Sequence, residues 1–393
     1  MLRIWLVFML SSYCAWASEG IFADGKVLLN LRYRIEAVDQ DGFDRDALAS
    51  TLRTRLGYET GSWRGLTFLA EAEDISVLGD ESYNNTTNDV LDRPVVPDAK
   101  NTEVNRIQFR YQNERRSLTV GRQRLIMGNG RFIGNVGWRQ NEQTFDAVTW
   151  RENFSPKVKL VAAYIHNANR IFGEDHRNDL AADFRQSSFA ADLVISGTPV
   201  GEVTIFGYFI DLDEFEALAH QNLGLRAVGD SQAGDRFKIH HEVFFIKQDS
   251  YADGADRIDY EFLRLALGGK WDAFGLTLAH ERLTGDGGTA FIQPLGTLHG
   301  PNGWADVFLV VPGDGLVDSH LQFNYRRNDW SATLRYHDFD AEGDIDPRDF
   351  GNELNLLLTR KIQKRWQAGV KFADYQGDFG DRTKLWLWAG FQL

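Results

Sequence analysis

Arginines spaced two or four residues apart recur in the first third of the chain. They are Arg32 and Arg34, Arg53 and Arg55, Arg106 and Arg110, and Arg122 and Arg124. Arginine keeps its charge at physiological pH and presents a planar fork of N–H donors to carboxylates and phosphates. Rings of such cations are how pores favour anions. The spacing therefore predicts a cationic surface that handles anionic solutes.

Four further arginines belong to the predicted substrate-binding set. Arg131 and Arg139 lie in a glycine-rich segment, residues 121–146, in which glycine permits tight backbone turns. Arg326 and Arg335 lie near the end of the chain, where a closed fold would bring them back towards the first strands.

Five glutamates offer a structural alternative to anion binding. The carboxylates predicted to share the arginine face are Glu36, Glu59, Glu71, Glu73 and Glu281. Internal arginine–glutamate networks fill and stiffen barrels without selecting any solute. Both interpretations of the arginines, anion handling and scaffolding, are therefore open at the level of sequence.

The residues around these arginines alternate with a period of two. Val27, Leu29, Leu31, Tyr33 and Ile35 are apolar, while the positions between them are mostly polar. Strict alternation is typical of a strand with one apolar and one polar face. Because the arginines occupy the polar face, the pattern predicts that they share one side of a sheet.

The alternation recurs along the whole chain and predicts about eighteen strands. The stretches are 27–35, 48–58, 66–74, 104–112, 117–124, 144–151, 158–166, 187–195, 202–212, 221–228, 237–248, 259–271, 274–283, 316–326, 330–338, 352–360, 366–375 and 383–392. Long and short connections alternate between them. Five tryptophans, at 63, 150, 271, 330 and 366, lie at or beside the short connections. Together these features predict an all-β fold, a transmembrane antiparallel up-and-down β-barrel.

The long connection at 125–143 is the third loop of the predicted outer side. Its glycines, with Arg131, Arg139, Gln140 and Asn141, predict that it folds into the lumen and narrows the pore.

The N-terminus predicts export. Arg3 precedes the short apolar run 4–10, and Ala15-Trp16-Ala17 is a cleavage site of the A-x-A type. We therefore predict a signal peptide at residues 1–17 and a single barrel domain at residues 18–393. The only cysteine, Cys14, lies in the signal, so the mature protein forms no disulfide.

Composition narrows the partners. A net charge of -13 argues against a nucleic-acid partner, which would need a basic patch. We expect the outer membrane of a Gram-negative bacterium, with its lipid and lipopolysaccharide, as the environment. The barrel-assembly machinery, which recognises an alternating last strand such as 385–393, is the expected partner during biogenesis.

Enzymatic and metal chemistry find little support in the sequence. There is no H-E-x-x-H or G-x-S-x-G motif, so we predict no enzyme and no cofactor. The acidic stretch 338–349 partly matches the ligand spacing of a calcium-binding loop. No helices flank it in the predicted strand pattern, so a solvated acidic loop is preferred and no metal site is predicted.

Three runs resemble a known family. They are Leu52-Arg53-Thr54-Arg55-Leu56-Gly57-Tyr58, Gly121-Arg122-Gln123-Arg124, and the longer run at residues 134–146, GNVGWRQNEQTFD. The chain resembles the alginate-export family of outer-membrane barrels, most sharply over residues 27–150. The resemblance implies an eighteen-stranded barrel whose electropositive, arginine-lined constriction passes an anionic polysaccharide. Arg53, Arg55, Arg122, Arg124 and Arg139 fall within the matching runs.

The predicted function is a passive outer-membrane channel whose arginine-lined constriction passes anionic solutes, including an anionic polysaccharide such as alginate. A porin for small carboxylates, sugars or phosphate is the alternative within the same class. A sealed barrel with an adhesive or hydrolytic role is the alternative from another class.

Overall fold

The computed structural model describes residues 21–343 and 348–393. The predicted signal peptide, residues 1–17, lies outside the described residues. The described chain forms one sheet of eighteen strands.

The strands follow one another in chain order. They are β1 (Lys26–Gln40), β2 (Ala47–Glu59), β3 (Leu66–Val77), β4 (Asn101–Gln112), β5 (Arg116–Gln123), β6 (Thr144–Ser155), β7 (Val158–Asn169), β8 (Asp183–Thr198), β9 (Gly201–Ile210), β10 (His220–Gln232), β11 (Phe237–Ser250), β12 (Asp259–Trp271), β13 (Phe274–Leu283), β14 (Leu316–Arg327), β15 (Trp330–Asp340), β16 (Asp349–Ile362), β17 (Trp366–Gln376) and β18 (Arg382–Gln392). Each of the eighteen predicted stretches overlaps one of these strands, so the all-β prediction is confirmed.

The sheet closes on itself. Every strand pairs in antiparallel fashion with its sequence neighbours, and β18 pairs with β1. The closing register sets Arg34 opposite Trp388 and Glu36 opposite Trp386. A closed sheet has no free edge, so all its strands find backbone hydrogen-bond partners within the same chain. The predicted up-and-down barrel is confirmed.

Polar side chains face the inside of the barrel and apolar side chains face the outside, as the alternation predicts. In β2, Arg53 and Arg55 are buried inside the barrel, whereas Leu48 and Leu56 are more than half exposed on the outside. The same exposed apolar side chains continue around the barrel, for example Leu278. The outer surface of the barrel therefore carries a band of apolar side chains.

Long and short connections alternate, and tryptophans mark the short ones. Trp63, Trp271, Trp330 and Trp366 are all exposed beside short connections. The long connections all lie at the opposite end of the barrel. Two of them matter for function: L3, residues 124–143 between β5 and β6, and L7, residues 284–315 between β13 and β14.

Both L3 and L7 fold into the barrel. Leu125 and Ile133 of L3, and Leu295 of L7, are fully buried in one apolar cluster with inward aromatic side chains of the wall such as Phe262. Phe132 of L3 makes an edge-to-face contact with Phe262, with ring centroids 5.3 Å apart. The lumen is therefore partly filled by an apolar core, which the alternation of polar residues alone does not predict.

L3 and L7 dock on each other through their backbones. The amide of Gly134 donates to the carbonyl of Leu295 at 3.0 Å, and the amide of Thr297 donates to the carbonyl of Gly130 at 3.0 Å. A Cβ atom on Gly134 would collide with the Gly130 carbonyl and the Thr297 hydroxyl. The glycines of L3 thus allow a close approach between two loops.

Helical structure is minor in the described part of the chain. It comprises the four-residue α1 (Asp179–Ala182) and a 3-10 turn at Glu216–Leu218. None of the described helices has the length and apolarity to cross a membrane.

Candidate functional site

The arginines of β1 and β2 line one wall of the lumen. Arg32 and Arg53 are direct register partners, and Arg55 lies two residues further along the same face. Arg32 turns towards L3, where it donates to Gln140 Oε1 at 2.9 Å and to the carbonyl of Gly137 at 3.2 Å. Arg53 donates to Asn30 Oδ1 at 2.6 Å. These two arginines are the ones in this wall that rely least on carboxylates.

The other wall arginines are paired with acids. Arg55 contacts Glu73 and Glu142, and Arg106 holds Glu71 with two hydrogen bonds of 2.8 Å. The five glutamates predicted to share this face each contact an arginine: Glu36, Glu59, Glu71, Glu73 and Glu281. Much of the arginine charge is therefore used within the protein.

Arg34 and Arg124 fasten long loops to the wall. Arg34 is buried and donates to the carbonyl of Trp138 in L3 at 2.6 Å, and it pairs with Asp98 of the β3–β4 loop. Arg124 of L3 pairs with Glu71 of β3 at 3.1 Å. These contacts explain why L3 lies against the arginine-bearing strands.

Three of the predicted arginines lie away from this cluster. Arg110 pairs with Glu59 at 2.5 Å towards the short-connection end. Arg122 is in register with the outward Ile107, and its guanidinium pairs with Asp146 at 2.9 Å. Arg326 is exposed at the short-connection end of β14, where its side chain makes no hydrogen bond or ion pair to any described residue.

Arg131 and Arg139 anchor L3 to L7 and to the wall. Arg131 pairs with Glu281 at 2.8 Å and donates to Asn302 of L7 at 2.9 Å. Arg139 pairs with Glu36 at 3.1 Å and with Asp306 of L7 at 2.9 Å. Arg335, on β15, donates to the carbonyl of Gly300 in L7 at 2.7 Å.

A cavity of about 720 Å³ opens where the long loops meet. Its lining is mainly apolar and includes Phe172, Phe291 and Leu298. Its charged lining residues are chiefly basic: Arg139, Arg170, Arg257, Arg382 and Lys384, with Asp306 the carboxylate among them. A cavity of this size and composition fits a small amphipathic molecule with an anionic group.

On one side of this cavity, the basic residues are arranged around the carboxylate of Asp306. Its carboxylate accepts hydrogen bonds from Arg139 at 2.9 Å, from Lys384 Nζ at 2.8 Å and from His299 Nδ1 at 2.6 Å. Burial alone would raise the pKa of Asp306, but His299, Lys384 and Arg139 outweigh it and hold that pKa well below its ordinary value. Asp306 is therefore ionised in the docked loop.

His299 links Asp306 to a buried lysine. Burial lowers the pKa of His299 to about 3, so its ring is neutral at pH 7. Its Nδ1–H donates to Asp306 while its Nε2 accepts from Lys371 Nζ at 2.5 Å. The pKa of Arg139 is lowered by burial but raised more strongly by Glu36 and Asp306, so the net direction is upward.

Lys371 lies in a cage of tryptophan rings. Its Nζ is 4.2 Å from the ring centre of Trp138 in L3 and 4.1 Å from that of Trp304 in L7. Trp386 of β18 is the third ring, at 5.3 Å. Cation–π attraction to both loops makes Lys371 a second anchor between L3, L7 and the barrel wall.

Sequence reasoning missed most of this cavity. Lys371, Arg382 and Lys384 lie on the inward face of β17 and β18, which the alternation itself could have indicated. His299 and Asp306 had no comparable signal, because they lie in a long loop without periodicity. Only the folding of L7 into the lumen brings them to the basic residues.

Comparisons with known proteins bear on the fold. No family model matches the sequence, and no curated protein matches it. Among solved structures, OpdK of Pseudomonas aeruginosa with vanillate superposes with a TM-score of 0.75 at 12% identity, covering 95% of this chain and 100% of that chain. OccAB4 of Acinetobacter baumannii gives 0.72 at 15% identity, covering 94% and 98%.

A third similar structure, OpdO of Pseudomonas aeruginosa, gives a TM-score of 0.72 at 15% identity, with 95% and 98% covered. OpdK is also described as an outer membrane protein. At these identities the likeness establishes a shared fold, a porin-like barrel. It does not single out the alginate-export family that the sequence runs resemble.

Proposed function

We propose that this protein is a passive channel of the Gram-negative outer membrane that passes small anionic solutes. The observation that carries the proposal is the basic side of the cavity where the long loops meet, which we call the mouth cavity. There Arg139, Arg382 and Lys384 surround a single carboxylate, that of Asp306. A site with more cations than carboxylates attracts anions, and water-excluding walls strengthen that attraction.

The outer surface supports a membrane location. Exposed leucines and phenylalanines form an apolar band, and Trp63, Trp271, Trp330 and Trp366 lie beside the short connections. Such a band edged by aromatic residues suits hydrocarbon bounded by headgroups. The fold shared with the outer membrane protein OpdK is consistent with this location.

The cavity favours a small solute with an apolar body. Phe172, Phe291 and Leu298 offer apolar contacts beside the cations, and a volume of about 720 Å³ suits a molecule of a few hundred daltons. The OpdK structure contains vanillate, an aromatic carboxylate of this kind. We therefore propose aromatic and aliphatic monocarboxylates as the first class to test.

An anionic polysaccharide such as alginate is the second candidate. It is favoured by Arg32, Arg53 and Arg55, which lie next to one another on a single wall and could contact successive carboxylates of a polymer. L3 and L7, which both enter the lumen, weigh against a wide polymer path.

The test is electrical. The full-length mature protein is inserted into a planar bilayer, and single-channel currents and the reversal potential are measured in a KCl gradient. We expect discrete single-channel currents and a reversal potential of the sign that indicates selectivity for chloride over potassium. The absence of current would support the sealed-barrel alternative, and cation selectivity would contradict anion handling.

The solute class is tested by competition. Benzoate and oligomannuronate are added separately to the long-loop side while the chloride current is recorded. We expect benzoate to reduce the current at lower concentration, as a small occupant of the basic cavity. A stronger effect of the oligomer would favour the polysaccharide. Lys384→Gln should weaken the benzoate effect, whereas Arg326→Gln, a change of the same charge at the exposed short-connection end, should not.

A further inference from the structure

Asp306 occupies the position that a solute carboxylate would take in the basic cavity. Its carboxylate receives three hydrogen bonds, from Arg139, Lys384 and His299, at 2.6 to 2.9 Å. Three donors around one carboxylate are the arrangement with which proteins bind a free carboxylate. Here that arrangement is filled by a side chain of the protein's own loop L7.

The donors belong to other parts of the fold than the loop that fills them. Lys384 and Arg382 lie on β18, and Arg139 lies on L3, whereas Asp306 lies on L7. The Lys384 ammonium lies within 4 Å of the Asp306 carboxylate and of no other carboxylate in the described residues. Removal of L7 would therefore leave the cations in place with an unfilled anion site.

Positive charge at this site exceeds what Asp306 neutralises. Arg382 donates to the carbonyls of Ala305 and Asp306 at 3.2 and 3.1 Å but pairs with no carboxylate in the described chain. An arriving anion is thus attracted even while Asp306 is in place.

The segment that carries Asp306 is held by both polar and apolar contacts. Arg335 donates to the carbonyl of Gly300, and Glu353 accepts from the amide of Ala305 at 2.9 Å, while Trp304 and Ala305 pack in the buried apolar cluster. Asp306 also borders the cavity that opens towards the long loops. Arg139, Arg382 and Lys384 line the same cavity, so a solute in it lies beside these cations.

We infer that Asp306 is a tethered substitute for the solute: its carboxylate fills the anion site formed by Arg139, Arg382 and Lys384, and a carboxylate solute displaces it and loosens L7. This inference rests on the proposed function. L7 is then an autoinhibitory segment whose release is coupled to the arrival of the solute. The recognised ligand class is a monocarboxylate.

Competition by a tethered group has a measurable consequence. The apparent dissociation constant of a free carboxylate equals the intrinsic constant divided by the fraction of molecules whose site is unfilled. If Asp306 fills the site at least nine-tenths of the time, its removal should tighten binding about tenfold or more.

The test measures benzoate binding to the detergent-purified mature protein by titration calorimetry. Asp306→Asn keeps the shape of the side chain and removes the competing charge. Asp314→Asn is the matched control, because Asp314 is an exposed acid of the same loop. We expect the dissociation constant for benzoate to fall about tenfold in Asp306→Asn and to stay unchanged in Asp314→Asn.

A double variant separates competition from simple loosening. Asp306→Asn with Lys384→Met removes both the competitor and a donor, and we expect benzoate binding to be lost. Benzoate binding that is unchanged or weaker in Asp306→Asn than in the wild type would overturn the inference. Binding that survives in the double variant would also overturn it.

A measurement on the unmodified protein covers the case in which Asp306→Asn does not fold. Residues 299–306 are largely buried, so proteases should cleave L7 slowly within this segment. We expect benzoate to accelerate proteinase K cleavage within residues 299–306, with the cut sites mapped by mass spectrometry, and the neutral analogue benzyl alcohol to leave it unchanged. Equal cleavage with and without benzoate would overturn the inference.

Failure of the inference is distinguishable from failure of the proposed function. The reversal potential reports anion selectivity of the channel, whatever the role of Asp306. If the channel is anion-selective but Asp306→Asn does not change benzoate binding, only the inference that Asp306 is a tethered substitute is rejected. Cation selectivity rejects the proposed function itself.

Discussion

The guanidinium of Arg139 pairs with the carboxylate of Asp306 at 2.9 Å, and this contact joins L3 to L7 inside the barrel. The same guanidinium pairs with Glu36 on β1 at 3.1 Å. One arginine thus connects two loops and the wall. Because all three side chains are buried, their charges depend on one another, and this dependence leads to the first prediction.

Arg139→Gln should destabilise the protein strongly. It leaves the Glu36 and Asp306 carboxylates buried without one of their main partners, and breaking a buried pair in this way costs about 3–5 kcal/mol. The free energy of unfolding, measured by urea titration in detergent, should fall by that amount. Arg177→Gln breaks an ion pair with Asp89 in which both side chains are mostly exposed. It should change the free energy by about 0–1 kcal/mol, and equal effects of the two variants would contradict the prediction.

Acid should weaken the docking of L7. The pKa of His299 is about 3 in the docked loop against an ordinary 6.5, so the released loop binds more protons between these values. Docking is therefore fully favourable above pH 6.5 and weakens as the pH falls towards 3. Asp306, whose docked pKa lies well below its ordinary 3.8, adds to the loss only below about that pH.

The titratable groups that face His299 are Asp306, Lys371 and Arg139. Burial lowers the pKa of His299, Asp306 raises it, and the cations Lys371 and Arg139 lower it because they repel a positive charge on the ring. At pH 5 the docking free energy should be smaller than at pH 7 by about 2 kcal/mol. Channel open probability should rise correspondingly between pH 7 and pH 5. His299→Gln should remove this dependence and His280→Gln, on the outer side of β13, should preserve it. A pH response that is the same in both variants would count against His299.

Gly134→Ala should separate L3 from L7. A Cβ atom at this position would lie 2.3 Å from the backbone carbonyl oxygen of Gly130 and 2.3 Å from the hydroxyl of Thr297, so the backbone of L3 must shift. We expect larger and noisier single-channel currents because the two loops no longer dock. The control Gly288→Ala, in L7, adds a Cβ with no close contact except an exposed Asp286 oxygen at 3.5 Å, and its currents should match the wild type.

Arg53→Gln should reduce anion preference. Arg53 contributes lumen charge that is only weakly neutralised, since its nearest carboxylate, Glu73, lies 4.0 Å away. The reversal potential in a KCl gradient should shift towards the cation side. Arg326→Gln removes the same charge at the exposed end of β14 and should produce a much smaller shift. Unchanged selectivity in Arg53→Gln would exclude that arginine from the ion path.

Much of the fold could be predicted because the barrel repeats one local rule. In β2, the alternation of Arg53 and Arg55 with Leu52 and Leu56 already states which face is inside, and a register slip of one residue would reverse it. The rule fails on β4, where Glu71 pairs with Arg106 but Ala72 pairs with Val104. Asn105 is the extra residue, and the inward positions of β4 change from odd to even numbers there. Arg122 pairs in unbroken register with the outward Ile107, and it contacts Asp146 rather than the lumen cluster.

The candidate site was only partly predictable. Arg139 was predicted as a site residue because it lies in a polar, glycine-rich loop, and in the structure it lines the mouth cavity. Lys384 and Lys371 share the inward face of adjacent strands, but facing alone does not say which inward residues meet a loop. His299 and Asp306 lie in L7, where no periodicity constrains the position of a side chain.

The sequence by itself determined the strands, their facing, the alternating long and short connections and the closed barrel, because a period of two is a local property of neighbouring residues. The tertiary structure alone decided that L3 and L7 dock on each other, that an apolar core fills part of the lumen, and that Asp306 meets Arg139 and Lys384. Those contacts join residues 78 to 167 positions apart. Their geometry depends on how two long loops pack inside a closed wall, and no local pattern encodes that.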